Sequence, residues 1–251
     1  MSEAAVQPGA PAEPLSQVQR VVDTFVAPSR TFTDILRSAS WWLPWLLAAV
    51  VTLALGVAIQ QKIGWDKTYD NMLRQQSAAA QQRMEQMPAE QQAHIRAVSV
   101  KATQGIFWAT PLIGLIVAVV AAAILLASVN FGFGGRAKFG QMFAVWIYGT
   151  LPWAIQGLLG IITIYAGVDR DSFDLKNFVG TNIGYFLPTD LPRWLITLGT
   201  SIDIFTIWAL ILLTIGCSIA GRIRRGQAAA VVWGWWALIT LIKVGAAGIA
   251  G

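Results

Sequence analysis

The stretch FGQMFAVWIYGTLPWAIQGLLGIITIYAGV, residues 139–168, runs for thirty residues without a charge, between Lys138 and Asp169. An α-helix rises about 1.5 Å per residue, so roughly 20 such residues cross a hydrocarbon core about 30 Å thick. A helix in the core of a water-soluble protein has no need of this length. The stretch is therefore predicted to be the central span of a membrane protein.

Small and polar residues give this span a distinct face. Pro152 removes a backbone N–H and clashes with the preceding turn, which predicts a kink or a local unwinding. Gly149, Gln156 and Gly160 fall in one narrow stripe beside it. Such a stripe is a hinge, a cavity-lining face or a packing seam in the bundle centre. The packing seam is favoured, because Gly and Pro are common in membrane helices.

The composition of the whole chain agrees with a membrane protein. Of 251 residues, 55% are hydrophobic and 12% are charged, which leaves too little polar surface for a soluble globule of this size. The net charge of +5 comes from scattered basic residues, so no nucleic-acid partner is expected. The expected surroundings are a lipid bilayer, together with another membrane protein or further copies of this chain.

Hydrophobic periodicity divides the chain into a series of segments. Residues 1–14 are predicted to be a disordered tail, and residues 15–38 two interfacial amphipathic helices with Phe32, Ile35 and Leu36 against the membrane. Residues 66–104 are predicted to form an extramembrane helical hairpin. The fold class is all-α and polytopic, with a membrane domain over residues 41–250. Its five spans are predicted at about residues 41–60, 107–129, 140–166, 198–220 and 228–249.

The short loops between spans predict the orientation. The loop 130–138 contains Arg136 and Lys138, and the loop 221–227 contains Arg222, Arg224 and Arg225, with no acid in either loop. Basic short loops lie on the cytoplasmic side. A cytoplasmic N-terminus and an outside C-terminus in the cytoplasmic (inner) membrane are therefore expected.

Two charged residues lie where a membrane protein rarely places them. Asp203 is predicted one turn into the fourth span, and Lys243 about fifteen residues into the fifth. A buried charge requires a partner or water. We predict an Asp203–Lys243 ion pair, with Arg193 as the competing cation. Its role is structural, or it is a site for a substrate or a proton.

Catalytic and metal-binding patterns are absent from the sequence. His94 is the single histidine and Cys217 the single cysteine, which excludes His-x-x-x-His and cysteine zinc motifs. No Gly-x-Ser-x-Gly motif is present. No catalytic residue, metal site or cofactor is predicted, and the protein is not expected to be an enzyme.

Three segments resemble the bacterial branch of the YIP (Ypt/Rab-interacting protein) domain family. They are VVDTFVAPSRTFTDILRSASWWLPWLL at residues 21–47, YGTLPWAIQGLLG at 148–160 and SIDIFTIWALILLTIG at 201–216. The resemblance covers about residues 15–250 and implies five spans with a cytoplasmic N-terminus. The Asp-Leu-Tyr-Gly-Pro signature of the eukaryotic members is missing, so a Rab-type GTPase partner is not implied.

Two function hypotheses follow from these observations. The first is a non-enzymatic protein that organises the membrane or acts as a partner-binding scaffold. The second is a small transporter or permease subunit with a polar site at Asp203 and Lys243. A water-accessible cavity reaching Asp203 would favour the second hypothesis, and closed packing would favour the first.

Overall fold

A computed structural model describes residues 13–76, 78–188 and 191–250. These residues form helices, a single 3-10 turn at Ile183–Phe186 and one isolated β-bridge between Asn182 and Asp203. The helices are α1 (Gln17–Val26), α2 (Pro28–Ile35), α3 (Trp42–Lys62), α4 (Trp65–Arg74), α5 (Ala78–Glu85), α6 (Ala89–Phe133), α7 (Phe139–Gly149), α8 (Pro152–Tyr165), α9 (Arg193–Ser201), α10 (Ile204–Gly221) and α11 (Arg225–Ala250). The predicted disordered tail lies almost wholly outside the described residues.

Five helical units of the described chain are long and apolar enough to cross a membrane. They are α3, α6, the pair α7–α8, α10 and α11. This confirms the predicted all-α, polytopic fold class. The third unit is broken where Pro152 begins α8, and Thr150 bridges the break by donating its hydroxyl to the Trp146 carbonyl at 2.9 Å.

The segment between the first two spans differs from a simple hairpin. Its first arm divides into α4 and α5, whereas its second arm is the beginning of α6, which continues into the membrane for 45 residues in all. Pro88 precedes this helix as its N-cap. Arg96 of α6 contacts Asp70 at 2.8 Å and Asp66 at 3.2 Å, so ion pairs hold α4 against the base of the long helix.

The main core lies between α7 and α10, with α2 and α6 packed around them. Gly149 of α7 faces Leu213 of α10 so closely that a Cβ at Gly149 would lie 2.6 Å from the leucine Cδ2. Gly160 of α8 lies equally close to the ring of Phe178. Both glycines of the predicted stripe therefore sit at tight helix contacts.

The N-terminal helices form as expected, but with their faces reversed. Phe32 and Ile35 are fully buried in the main core, so their predicted contact with the membrane is wrong, and Leu36 packs partly against the same core. The physical reason is that α2 packs on α10, where Gly216 leaves room for the Phe32 ring. The sequence pattern shows an apolar face but not whether lipid or protein covers it.

Candidate functional site at the break in the fourth span

Asp203 lies at a break in the fourth span. The predicted single span 198–220 is instead two helices, α9 and α10, and Asp203 is the N-cap residue of α10. Its Oδ1 accepts hydrogen bonds from the backbone N–H groups of Phe205 at 2.9 Å and Thr206 at 3.1 Å. An Asp immediately before an apolar run is an ordinary N-cap signal, so the sequence contained the information needed to place this break.

The loop that precedes α9 closes against the same break. The Ile204 N–H donates to the Thr181 carbonyl at 3.1 Å, and the Ile183 N–H donates to the Ile202 carbonyl at 3.4 Å. The Asn182 side chain then caps the following 3-10 turn by accepting from the Tyr185 N–H at 2.9 Å. These bonds supply partners for backbone groups that a broken helix leaves unpaired.

The second carboxylate oxygen of Asp203 binds side chains from two other elements. Oδ2 accepts from the Thr181 hydroxyl at 2.5 Å and from the Gln156 amide of α8 at 3.2 Å. The Gln156 amide also donates to the Thr181 hydroxyl at 3.1 Å. We call these three side chains the Asp203 clasp. With four hydrogen bonds and 5% exposure, the carboxylate is satisfied within the protein and joins α8, the loop and α10.

The predicted Asp203–Lys243 ion pair is absent from the described residues. Lys243 is exposed on α11 and forms no ion pair within 4.0 Å. Arg193 does not replace it, because its Nη2 donates to the Gln75 carbonyl at 3.0 Å. The prediction is wrong because it assumed one continuous fourth helix. The helix break directs the Asp203 carboxylate toward α8 and the loop.

A second buried polar cluster ties α1 to α2, and we call it the N-terminal clamp. Arg20 Nε donates to Asp34 Oδ2 at 2.6 Å, and its Nη1 donates to the Ser38 carbonyl at 2.8 Å. The hydroxyls of Thr24 and Thr31 both donate to the Arg20 carbonyl. The Arg20 and Asp34 side chains are 4% and 6% exposed. Residues fourteen positions apart share no local sequence signal, so sequence reasoning missed this pair.

Two cavities of the described chain lie away from Asp203. One of about 480 Å³ lies between α4, α5 and α6 and is lined by Leu73, Met84 and Arg96, among others. The other, of about 230 Å³, lies between α6 and α11 and includes Ser128 and Trp235. Within the described ranges, no group of three His, Cys, Asp or Glu residues could hold a metal ion.

Five apolar helical units with hydrogen-bonded polar clusters between them define a polytopic, all-α membrane protein. The chain belongs to the Yip1 family, since the model of the Yip1 domain matches residues 22–246. The three segments that carried the sequence resemblance fall within or at the edge of this range. Neither a curated protein nor a solved structure matches the chain.

Proposed function

We propose that this Yip1-domain protein is a non-enzymatic component of the cytoplasmic membrane that organises the bilayer or acts as a scaffold for a partner. Its N-terminus is cytoplasmic and its C-terminus lies outside. The partner class is another membrane protein or a second copy of the chain. The family membership and the apolar helices support this assignment to a membrane protein, and the surface of α1 supports the scaffold role.

The observation that carries this proposal is an exposed valine stripe on α1. Val18, Val22 and Val26 recur at helical spacing and are 65%, 52% and 73% exposed, whereas Arg20 and Asp23 on the same helix are buried. The N-terminal clamp prevents α1 from rotating its apolar face inward. A helix fixed in this way presents apolar surface to the acyl-headgroup boundary of one leaflet.

The N-terminal helices lie at the end of the bundle that carries the two basic loops. The Gln141 amide, in the first turn of α7, donates to the Leu36 carbonyl at 3.3 Å. This places α2 beside the loop that contains Lys138. The positive-inside rule assigns that end to the cytoplasmic side, so the valine stripe contacts the cytoplasmic leaflet.

A fluorescent probe on α1 tests this contact. Cys217 is buried and is replaced by Ala, and a single cysteine at position 22 then carries an environment-sensitive dye. In liposomes we expect a blue-shifted emission that lipid-borne nitroxides quench. The matched control is a cysteine at the exposed Ser29 of α2, where neither effect is expected. A water-exposed spectrum at position 22 in both liposomes and native membrane vesicles would refute the proposal.

The proposed orientation has its own test. Single cysteines at Lys176 and Arg224 lie at opposite ends of the bundle, and both positions are exposed. An impermeant thiol reagent added to intact cells is expected to label position 176 and to reach position 224 only after lysis. Labelling in the opposite pattern would reverse the orientation.

The transporter or permease hypothesis has less support from the geometry. The Asp203 carboxylate is 5% exposed and all its hydrogen bonds are internal, while Lys243 does not pair with it. A substrate or proton site needs a group that can exchange partners with water. The Asp203 clasp is therefore better explained as a structural joint of the scaffold.

A further inference from the structure

The two short loops at one end of the bundle meet and bring their basic residues together. The Arg136 N–H donates to the Gly221 carbonyl at 3.1 Å, which joins the α6–α7 loop to the end of α10. The exposed cations of the two loops, which we call the basic cluster, are Arg136, Lys138, Arg222, Arg224 and Arg225. None of them has an acidic partner within 4.0 Å in residues 13–76, 78–188 and 191–250.

An apolar groove lies between α6 and α11. It has a volume of about 230 Å³ and is lined by Ser128, Phe133, Val231, Gly234, Trp235 and Leu238, among others. We call it the α6–α11 groove. The Trp235 indole N–H donates to the Ser128 hydroxyl at 3.0 Å across it, so this polar pair is satisfied. A Cβ at Gly234 would meet nothing within 4 Å, which shows that the groove is open at this point.

The groove ends at the basic cluster. Phe133 is the last residue of α6 and directly precedes the loop that contains Arg136. Ala230, another lining residue, lies five positions after Arg225 on α11, or about 8 Å along the helix. A molecule with an acyl chain in the groove would therefore place its polar end against the cations.

We propose that the α6–α11 groove and the basic cluster together bind one anionic glycerophospholipid. The acyl chain lies in the groove between α6 and α11, and the headgroup phosphate lies against the arginines of the cluster. Arginine binds phosphate oxygens with paired hydrogen bonds, and unpaired cations at the end of a membrane groove favour an anionic headgroup over a zwitterionic one. This site does not depend on the scaffold role proposed above.

Native mass spectrometry of the full chain in detergent tests the site. The probes are dioleoylphosphatidylglycerol, dioleoylphosphatidylcholine and glycerol 3-phosphate, which carries the phosphate without a chain. Arg224→Gln combined with Arg225→Gln removes two cations, and the matched control is Arg170→Gln with Lys176→Gln at the opposite end. Gly234→Leu fills the groove, and the matched control is Gly245→Leu, which lies on the same face of α11 in open space.

Wild-type protein is expected to bind phosphatidylglycerol more tightly than either other probe. The double arginine variant should weaken phosphatidylglycerol binding by about 25-fold, from roughly fivefold per cation at a membrane surface. Gly234→Leu should weaken it roughly tenfold, the equivalent of about two buried methylene groups. Both controls should bind like wild type, and phosphatidylcholine binding should respond to Gly234→Leu but not to the arginine changes.

Three results would overturn the proposal. Equal binding of glycerol 3-phosphate and phosphatidylglycerol would identify a simple anion site that does not use the groove. An equal effect of Gly234→Leu and Gly245→Leu would remove the groove from the site. Unchanged phosphatidylglycerol binding in the double arginine variant would exclude the basic cluster.

Discussion

Removal of the Asp203 carboxylate is expected to destabilise the bundle, whereas removal of the Lys243 ammonium is not. Asp203→Ala deletes an N-cap, which costs about 1 kcal/mol. It also leaves the Thr181 hydroxyl and the Gln156 amide without their acceptor, at about 0.6–1 kcal/mol for each hydrogen bond inside a membrane protein. The expected loss in the free energy of unfolding is therefore about 2–3 kcal/mol.

The assay is SDS-induced unfolding in mixed micelles, followed by tryptophan fluorescence. Lys243→Ala should stay within about 0.5 kcal/mol of wild type, as is usual for an exposed position without a partner. Asp203→Asn separates the two parts of the loss. It keeps the N-cap acceptor, so its expected cost is smaller than that of Asp203→Ala.

A double-mutant cycle decides between the Asp203 clasp and an Asp203–Lys243 ion pair. The clasp predicts additive effects, because the two residues share no partner. A similar loss in both single variants, with a coupling energy above about 1 kcal/mol, would show that the two charges interact. That result would refute the assignment of Asp203 to Gln156 and Thr181.

Further predictions concern three contacts outside this site. Asp34→Ala leaves the buried Arg20 cation without its carboxylate and is expected to cost about 3–5 kcal/mol in the same unfolding assay. Phe32→Ala empties a fully buried position between α2 and α10 and is expected to cost about 3–5 kcal/mol, whereas alanine at an exposed phenylalanine should have little effect. Lys67 lowers the pKa of the exposed Asp171 carboxyl, so this pair stabilises the fold above the ordinary carboxyl pKa of about 3.9 and loses its effect as the pH falls through the lower folded value. Unfolding curves of wild type and Asp171→Asn should therefore differ at pH 6 and converge toward pH 3.

The spans could be predicted from the sequence because their signal is local. The apolar stretch of residues 139–168, the basic short loops and the position of Pro152 each belong to contiguous residues. Five helical units, with the third broken at the proline, appear in the structure. The break before α10 could also have been predicted, since Asp203 followed by an apolar run is an N-cap signal.

The partners of the buried polar groups could not be predicted in the same way. Asp203 binds residues 22 and 47 positions away, and Arg20 binds Asp34 fourteen positions away across a turn between helices. Such pairs depend on which helices pack together and on where a helix breaks. A single assumption, that the fourth span is continuous, was enough to direct the Asp203 carboxylate toward the wrong helix.

The sequence by itself determined that this is a five-span, all-α membrane protein of the Yip1 family, because hydropathy and helix length are sums over neighbouring residues. The tertiary structure decided which apolar faces meet protein and which remain exposed. Phe32 entered the core, whereas Val22 stayed at the surface, although both lie on amphipathic N-terminal helices. The physical reason is that the Arg20–Asp34 pair needs burial against α2 and α7 to be satisfied, and this contact sets the rotation of α1.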